Sequence, residues 1–346
     1  MIETARKALL LVNLGTPEKP EKRAVRRYLS EFLGDRRVID LPWLFRKALV
    51  HLVILPFRTG ASTRRYQKLW GNEGSPLLVH LERLAVKLQI KLYGEYTVIP
   101  AMRYGKPSLV EALSRLEKAS FEEICVLPLF PQYASSTSGS IVEMVLGTIR
   151  SWKVVPNFRL ITSFHNRPEF IEAFAAQVEL QKPHTFDHVL FSYHGLPYRH
   201  LTKQNPDMDC RICDCSSSKP SCGALCYKSA CYETTRLLAQ KLGLSEADYS
   251  VGFQSRLSKN WMSPFSDERI VQLARNQVEK VLVVTPSFVA DCLETLVEVE
   301  DEYRQLFLDN GGKQLVLVQS LNDTDQWVEA LSVMIRESNP ATLAVR

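Results

Sequence analysis

The chain has 346 residues, 45% hydrophobic and 23% charged, which is ordinary for a soluble globular protein and long enough for two lobes of similar size. Its net charge of +5 suits an anionic ligand or a membrane surface, but with no long Lys/Arg block it argues against nucleic acid. No run reaches the roughly 18 apolar residues of a spanning helix, and no N-terminal cleavage signal is legible, so a cytoplasmic protein is expected.

In chain order, strands are predicted at 8–13, 97–101, 124–129, 158–161, 188–192, 249–254, 281–285 and 314–319. Most are continuous apolar runs, the pattern of strands buried on both faces. Helical patterns at 78–92, 108–119, 168–179, 229–242 and 267–277 alternate with them, which predicts parallel, doubly wound sheets. A weak internal repeat divides the chain. Leu10-Leu11-Val12-Asn13-Leu14-Gly15-Thr16-Pro17 is echoed by Leu190-Phe191-Ser192-Tyr193-His194-Gly195-Leu196-Pro197, and the segment from Phe121 by that from Val278. Ligands of such sheets sit beyond the carboxyl ends of the strands.

Beyond the strand at 281–285, Glu294, Glu298 and Glu302 share one helical face, with Asp291 one turn earlier. Like charges four apart cost roughly 0.2–0.5 kcal/mol per pair, and no Lys or Arg lies between Asp291 and Tyr303. A solvated acidic face is the ordinary reading. A track of hard ligands for a divalent cation is the functional one. His194 follows a buried strand and precedes a glycine, which places it at the mouth of the crevice. A lone histidine is more often structural, yet an unperturbed pKa of about 6.5 suits proton abstraction, with Glu294 expected to orient the ring.

Trp261, Tyr66, Trp70, Arg58, Arg103 and Tyr104 follow strands or flank apolar runs, a set suited to a planar apolar ligand with carboxylates. The apolar stretch 38–57 reads either as a core helix or as an exposed lip at a lipid interface. Cys210, Cys213, Cys215, Cys222, Cys226 and Cys231 crowd one short segment, the last two entering a helix. Such thiolates suit zinc or an iron–sulfur cluster, and disulfides are the ordinary alternative. The spacing lacks the paired C-x2-C knuckles of a zinc ribbon.

Several motifs, in this order, resemble the ferrochelatases, which insert ferrous iron into a porphyrin to make haem. They are Leu11-Val12-Asn13-Leu14-Gly15-Thr16-Pro17, Phe130-Pro131-Gln132-Tyr133 with Ser135-Ser136-Thr137-Ser138-Gly139-Ser140, Ser192-Tyr193-His194-Gly195-Leu196-Pro197, Phe253-Gln254-Ser255-Arg256 and Asp291-Cys292-Leu293-Glu294-Thr295-Leu296. The resemblance covers nearly the whole chain. It implies an α/β fold of two Rossmann-like lobes, class II chelatase-like, with parallel sheets and a cleft between them. The lobes would be 1–160, with its lip at 38–57, and 161–330, with a cysteine-rich insertion at 203–231, followed by a tail at 331–346.

The resemblance also implies roles. His194 would be the catalytic histidine and Glu294 the essential glutamate, both meeting the iron substrate. Glu298, Glu302 and Asp291 would form a metal or proton path. Arg58, Tyr66, Ser75, Arg103 and Tyr104 would hold propionates or line the cleft, and Trp261 would pack on the macrocycle. The implied substrates are protoporphyrin IX and iron(II), giving protohaem in the last step of haem synthesis, with peripheral membrane contact through 38–57. A more carboxylated porphyrin (coproporphyrin), another metal, or a non-catalytic iron–sulfur protein that binds tetrapyrrole are the alternatives. Many relatives carry a [2Fe–2S] cluster with ligands in a C-terminal extension, but no cysteine follows Cys292 here. The chain is similar instead to bacterial members with an internal cysteine-rich segment. That likeness implies four ligands, Cys210, Cys226 and Cys231 plus one of Cys213, Cys215 and Cys222. Cys292 stands where some relatives have a histidine, so no role of a second histidine carries over.

Overall fold

A computed structural model describes residues 6–337 apart from 120, 205, 218, 219 and 224. All eight expected strands form. β1 (Lys7–Gly15), β2 (Tyr96–Tyr104), β3 (Glu123–Pro128) and β4 (Asn157–Leu160) make one parallel sheet in the order β2-β1-β3-β4. β5 (His188–His194), β6 (Tyr249–Gln254), β7 (Lys280–Val284) and β8 (Gln314–Leu317) make a second in the order β6-β5-β7-β8. The orders are the same when each half is numbered from its own first strand. The internal repeat is therefore topological, and β1 and β5 are equivalent inner strands.

Period-two alternation is present within the continuous apolar runs. Leu9 and Leu11 of β1 enter one core, while Ala8, Leu10 and Val12 enter another. In β7, Leu282 and Val284 face the first core and Val281 and Val283 a third. The first core takes side chains from both sheets and from helices Pro76–Lys91, Pro168–Glu179, Tyr227–Lys241 and Asp325–Arg336. The two sheets thus share an inner layer of helices, and burial of that layer fixes one sheet against the other.

The tail expected at 331–346 starts inside the helix Asp325–Arg336. Leu331, Met334 and Ile335, at i, i+3 and i+4, are buried on its inner face. Residues 338–346 lie outside the described set.

The stretch 38–57 does not become a core helix. Helix Trp43–Ala48, a π-helical turn Leu49–Ile54 and helix Leu55–Leu69 run on continuously. Trp43, Leu44, Phe45, Leu52, Val53 and Phe57 all point to solvent, Phe57 being 81% exposed. Scattered surface apolar residues need no explanation, but a contiguous set does. Among the described residues no helix is long and apolar enough to cross a membrane.

Candidate active site

β5 delivers His194 to the carboxyl edge of its sheet, opposite Gln254 of β6. The turn is tight. Gly195 N–H donates to the Gln254 carbonyl at 2.9 Å, and a Cβ on Gly195 would lie 2.9 Å from that same oxygen, so a side chain there would displace the strand end. His194 N–H donates to Ser287 Oγ at 3.2 Å, and the Tyr227 hydroxyl donates to the His194 carbonyl at 2.8 Å. The ring lies between Trp261 and Phe288, at centroid distances of 6.4 and 6.3 Å.

His194 Nδ1 is 2.7 Å from the Gly195 carbonyl oxygen. A carbonyl can only accept, so Nδ1 carries a proton, and in the neutral ring Nε2 is then the nitrogen with the lone pair. The ring is therefore oriented by its own turn. The expectation that Glu294 holds it is not met, because the imidazole's hydrogen bond goes to Gly195.

Glu294 sits in the first turn of Leu293–Tyr303, a π-helix rather than the α-helix the spacing suggested. π-Helical segments are rare and concentrate at functional sites. Gln254 Nε2 donates to the Glu294 carbonyl at 3.0 Å and Ser192 Oγ donates to Gln254 Oε1 at 2.8 Å. Gln254 thus joins the histidine strand to the start of the acidic helix, a role that the motif Phe253-Gln254-Ser255-Arg256 does not reveal because both partners lie far away in sequence. The Glu294 carboxylate lies near Tyr66 and Tyr28. Burial first, then this charge, pushes the Tyr66 hydroxyl well above its usual pKa. For Tyr28, burial and Tyr66 come before Glu294.

The rest of the acidic face is engaged. Glu298 accepts from Ser255 N–H (2.8 Å), Ser255 Oγ (2.6 Å) and the Tyr303 hydroxyl (2.9 Å). Arg65 Nε donates to Glu302 Oε1 at 2.9 Å, and Lys68 pairs with Asp301 at 2.7 Å. Helix Leu55–Leu69 of the first half therefore supplies the cations that the acidic helix lacks in its own sequence. Asp291 does not join this face. It is buried against Asn322 Nδ2 (2.7 Å) and Ser320 N–H (3.2 Å).

The expected porphyrin-binding residues divide. Trp261 stands beside His194. Tyr66 is buried edge-on to Tyr28 at 6.1 Å, and Arg58 is exposed on the same helix as Tyr66. Ser75 is buried and accepts from Thr16 Oγ1 at 2.8 Å. Arg103 Nη2 and the Tyr104 hydroxyl both donate to Asp35, at 2.6 and 2.8 Å, and Arg103 Nε donates to Ser140 Oγ at 2.7 Å, so both side chains are held by the fold.

All eight cysteines are free. The sulfurs of Cys215, Cys222 and Cys226 lie within 4.8 Å of one another, and Cys213 Sγ is 2.7 Å from Cys215 Sγ. This is not the expected set. Cys231 is fully buried in the core, one helical turn inside Tyr227–Lys241, and Cys210 Sγ turns to the Met208 carbonyl. Cys226 is the N-cap of that helix. The Cys215 thiol, against the cost of burial and with the Ser229 and Lys228 N–H groups, lowers its pKa to about 6. Buried Lys228 adds positive charge beside the segment.

The ferrochelatase family profile matches residues 6–339. The ferrochelatase of Legionella pneumophila (strain Lens) is 42% identical over 336 residues, covering 96% of this chain and 99% of that protein. That of Coxiella burnetii (strain Dugway 5J108-111) is 42% identical over 338 residues, covering 95% and 93%. Among solved structures, SirB from Bacillus subtilis with Fe3+ superposes with a TM-score of 0.55 at 12% identity, covering 96% of this chain and 94% of that chain, which supports the fold alone. A match along almost the entire chain, with relatives at this identity, means that the protein belongs to the ferrochelatase family.

Proposed function

We propose that the protein inserts iron(II) into protoporphyrin IX at the His194 turn, with 1–160 and 161–330 as the two lobes of the cleft. Membership of the ferrochelatase family makes it an enzyme, a porphyrin metal chelatase of haem synthesis whose substrates are a porphyrin and ferrous iron. The observation that carries the residue assignment is the Nδ1–H···O bond to Gly195, which leaves Nε2 as a base at the end of β5. A porphyrin releases two N–H protons as one iron(II) takes its four ring nitrogens. His194 Nε2 accepts the first proton. Glu294 accepts the second, and Glu298 and Glu302 pass it toward solvent. Trp261 packs on the macrocycle and Arg58 meets a propionate.

The exposed lip suits a poorly soluble substrate with few carboxylates, and favours protoporphyrin over coproporphyrin. With iron(II) in excess, kcat/KM for protoporphyrin should exceed that for coproporphyrin by about tenfold or more. Equal or reversed values would overturn the choice. The lip itself is proposed as a peripheral membrane contact. Leu52→Ser with Phe57→Ser should reduce co-flotation of the protein with anionic lipid vesicles, and parent protein that does not float would end the idea.

For the cysteine-rich segment we propose a [2Fe–2S] cluster on Cys213, Cys215, Cys222 and Cys226. Four clustered sulfurs, one at a helix N-terminus with a lowered pKa, fit this group. When bound, it supplies a covalent clasp for the loop between helices Tyr198–Gln204 and Tyr227–Lys241. No electron transfer is needed for metal insertion. The purified protein should show visible cluster absorption, lost in Cys226→Ser. A colourless protein carrying one zinc would overturn the assignment.

A further inference from the structure

The cysteine-rich segment and the catalytic turn meet at the start of helix Tyr227–Lys241. Cys226, its N-cap, has its sulfur 3.8 Å from that of Cys215. The next residue, Tyr227, is only 5% exposed, and its hydroxyl donates to the His194 carbonyl at 2.8 Å. The His194 N–H donates to Ser287 Oγ. Side chains from outside the turn therefore hold the peptide groups on both sides of the His194 Cα. The imidazole takes its direction from the Gly195 carbonyl, so fixing those peptides also fixes where Nε2 points.

A second contact joins the same parts. Tyr198 lies three residues past Gly195. Lys228 Nζ stands 5.7 Å and the Arg211 guanidinium 5.5 Å from the centroid of its ring, both within the cation–π reach of about 6 Å. Lys228 belongs to the first turn of the helix, and Arg211 to the loop between Cys210 and Cys213. Among the described residues, no helix or strand lies between Gln204 and Tyr227. The sulfurs of Cys213, Cys215 and Cys222 belong to that loop, and that of Cys226 to the helix start. A metal group bonded to all four ties the loop to the N-cap, and so sets where Tyr227 stands.

We propose that Tyr227 is a positioning residue that couples the filled cysteine site to the His194 turn. With metal bound, the helix start is fixed and the Tyr227 hydroxyl holds the His194 carbonyl. With the metal lost, the loop releases the N-cap, the hydroxyl bond weakens, and Nε2 is no longer aimed at the porphyrin. The inference rests on the reading of the cysteines as a metal site. Coupling between two binding sites is reciprocal, so a porphyrin that favours the held turn must favour the filled cysteine site by the same factor. The cysteine segment then acts as a regulatory site, and no electron transfer is needed for it to do so.

The rate at which the purified holoprotein gives up iron to a chelator under reducing conditions tests this without turnover. The probe is protoporphyrin already holding zinc, which cannot be metalated. It should slow release from the parent by about fivefold or more, the low end of couplings between sites. In Tyr227→Phe, which keeps the ring and removes the hydroxyl, the porphyrin should make no difference. Thr235→Val is the control. Thr235 also bonds this helix to β5, through the Tyr193 hydroxyl at 2.8 Å, but its partners are Tyr193 and the Cys231 carbonyl rather than His194, so protection should persist. In steady state, metal-loaded Tyr227→Phe should lose about tenfold in kcat/KM. Iron release from a coloured parent that ignores the porphyrin, protection that persists in Tyr227→Phe, or parental kcat/KM in that variant would each overturn the coupling alone. A colourless, iron-free parent would overturn the cluster reading, and this inference with it.

Discussion

Replacing His194 by alanine should lower kcat for porphyrin metalation by about 10²–10⁴-fold, the range typical of losing a positioned acid or base. The fold should survive. The ring's hydrogen bond is to the adjacent Gly195 carbonyl, and the bonds to Ser287 and Tyr227 are made by the His194 backbone, which alanine keeps. Partial exposure limits the cavity left behind. The rate is read from the loss of porphyrin fluorescence with iron(II), and folding from thermal unfolding. Near-parental turnover by a folded variant would remove His194 from the mechanism. Glu294→Gln gives a second reading of the same step. It keeps the backbone carbonyl that Gln254 holds and removes only the charge. If Glu294 takes the second proton, its loss should lower kcat more than it raises KM.

Much of this was legible in the chain, for physical reasons. A strand buried on both faces must be apolar throughout, so inner strands such as β1, β3, β5 and β7 are visible as runs. Which core each residue enters is not visible, because Leu9 and Leu10 read alike while facing opposite sides of the sheet. The turn at His194 is legible because Gly195 is required by close contact with Gln254 and Trp261. The acidic face is legible as a spacing, but its partners are not. Arg65 and Glu302 are 237 positions apart, and nothing local to either marks the pair. Asp291 illustrates the opposite error, since a carboxylate one turn from the others by number is committed to Asn322 and Ser320. Among the cysteines, spacing gives the number of thiols within reach but not their direction. Cys231 follows the helical repeat into the core, and Cys213 follows the loop to the other sulfurs.

Substituting Asp35 with alanine should destabilise the protein by about 3–5 kcal/mol, the cost of breaking a buried ion pair from one side. The Asp35 carboxylate accepts from Arg103 Nη2 (2.6 Å), Tyr104 Oη (2.8 Å), Ser140 Oγ (2.6 Å) and the Arg37 N–H (2.7 Å). The side chains of Asp35 and Arg103 are only 7% and 12% exposed, so alanine would strand the guanidinium away from water. Asp35→Asn keeps an acceptor and should cost less. Burial alone would raise the Asp35 pKa. The bonds from Ser140, Arg37 and Tyr104 and the Arg103 charge outweigh it and hold the carboxyl below its usual value. A depressed folded pKa stabilises the protein above the unfolded value of about 3.9, and this contribution is lost as pH falls through the folded value. Parent stability measured by denaturant should therefore fall across that acid window, and Asp35→Asn should lack this part of the fall. Equal stability of parent and Asp35→Ala at neutral pH would refute the argument. The result also bears on substrate recognition. If Asp35 holds Arg103 and Tyr104 for structure, Asp35→Asn at neutral pH should leave KM for porphyrin near the parental value, whereas a propionate contact by Arg103 predicts that freeing it lowers KM.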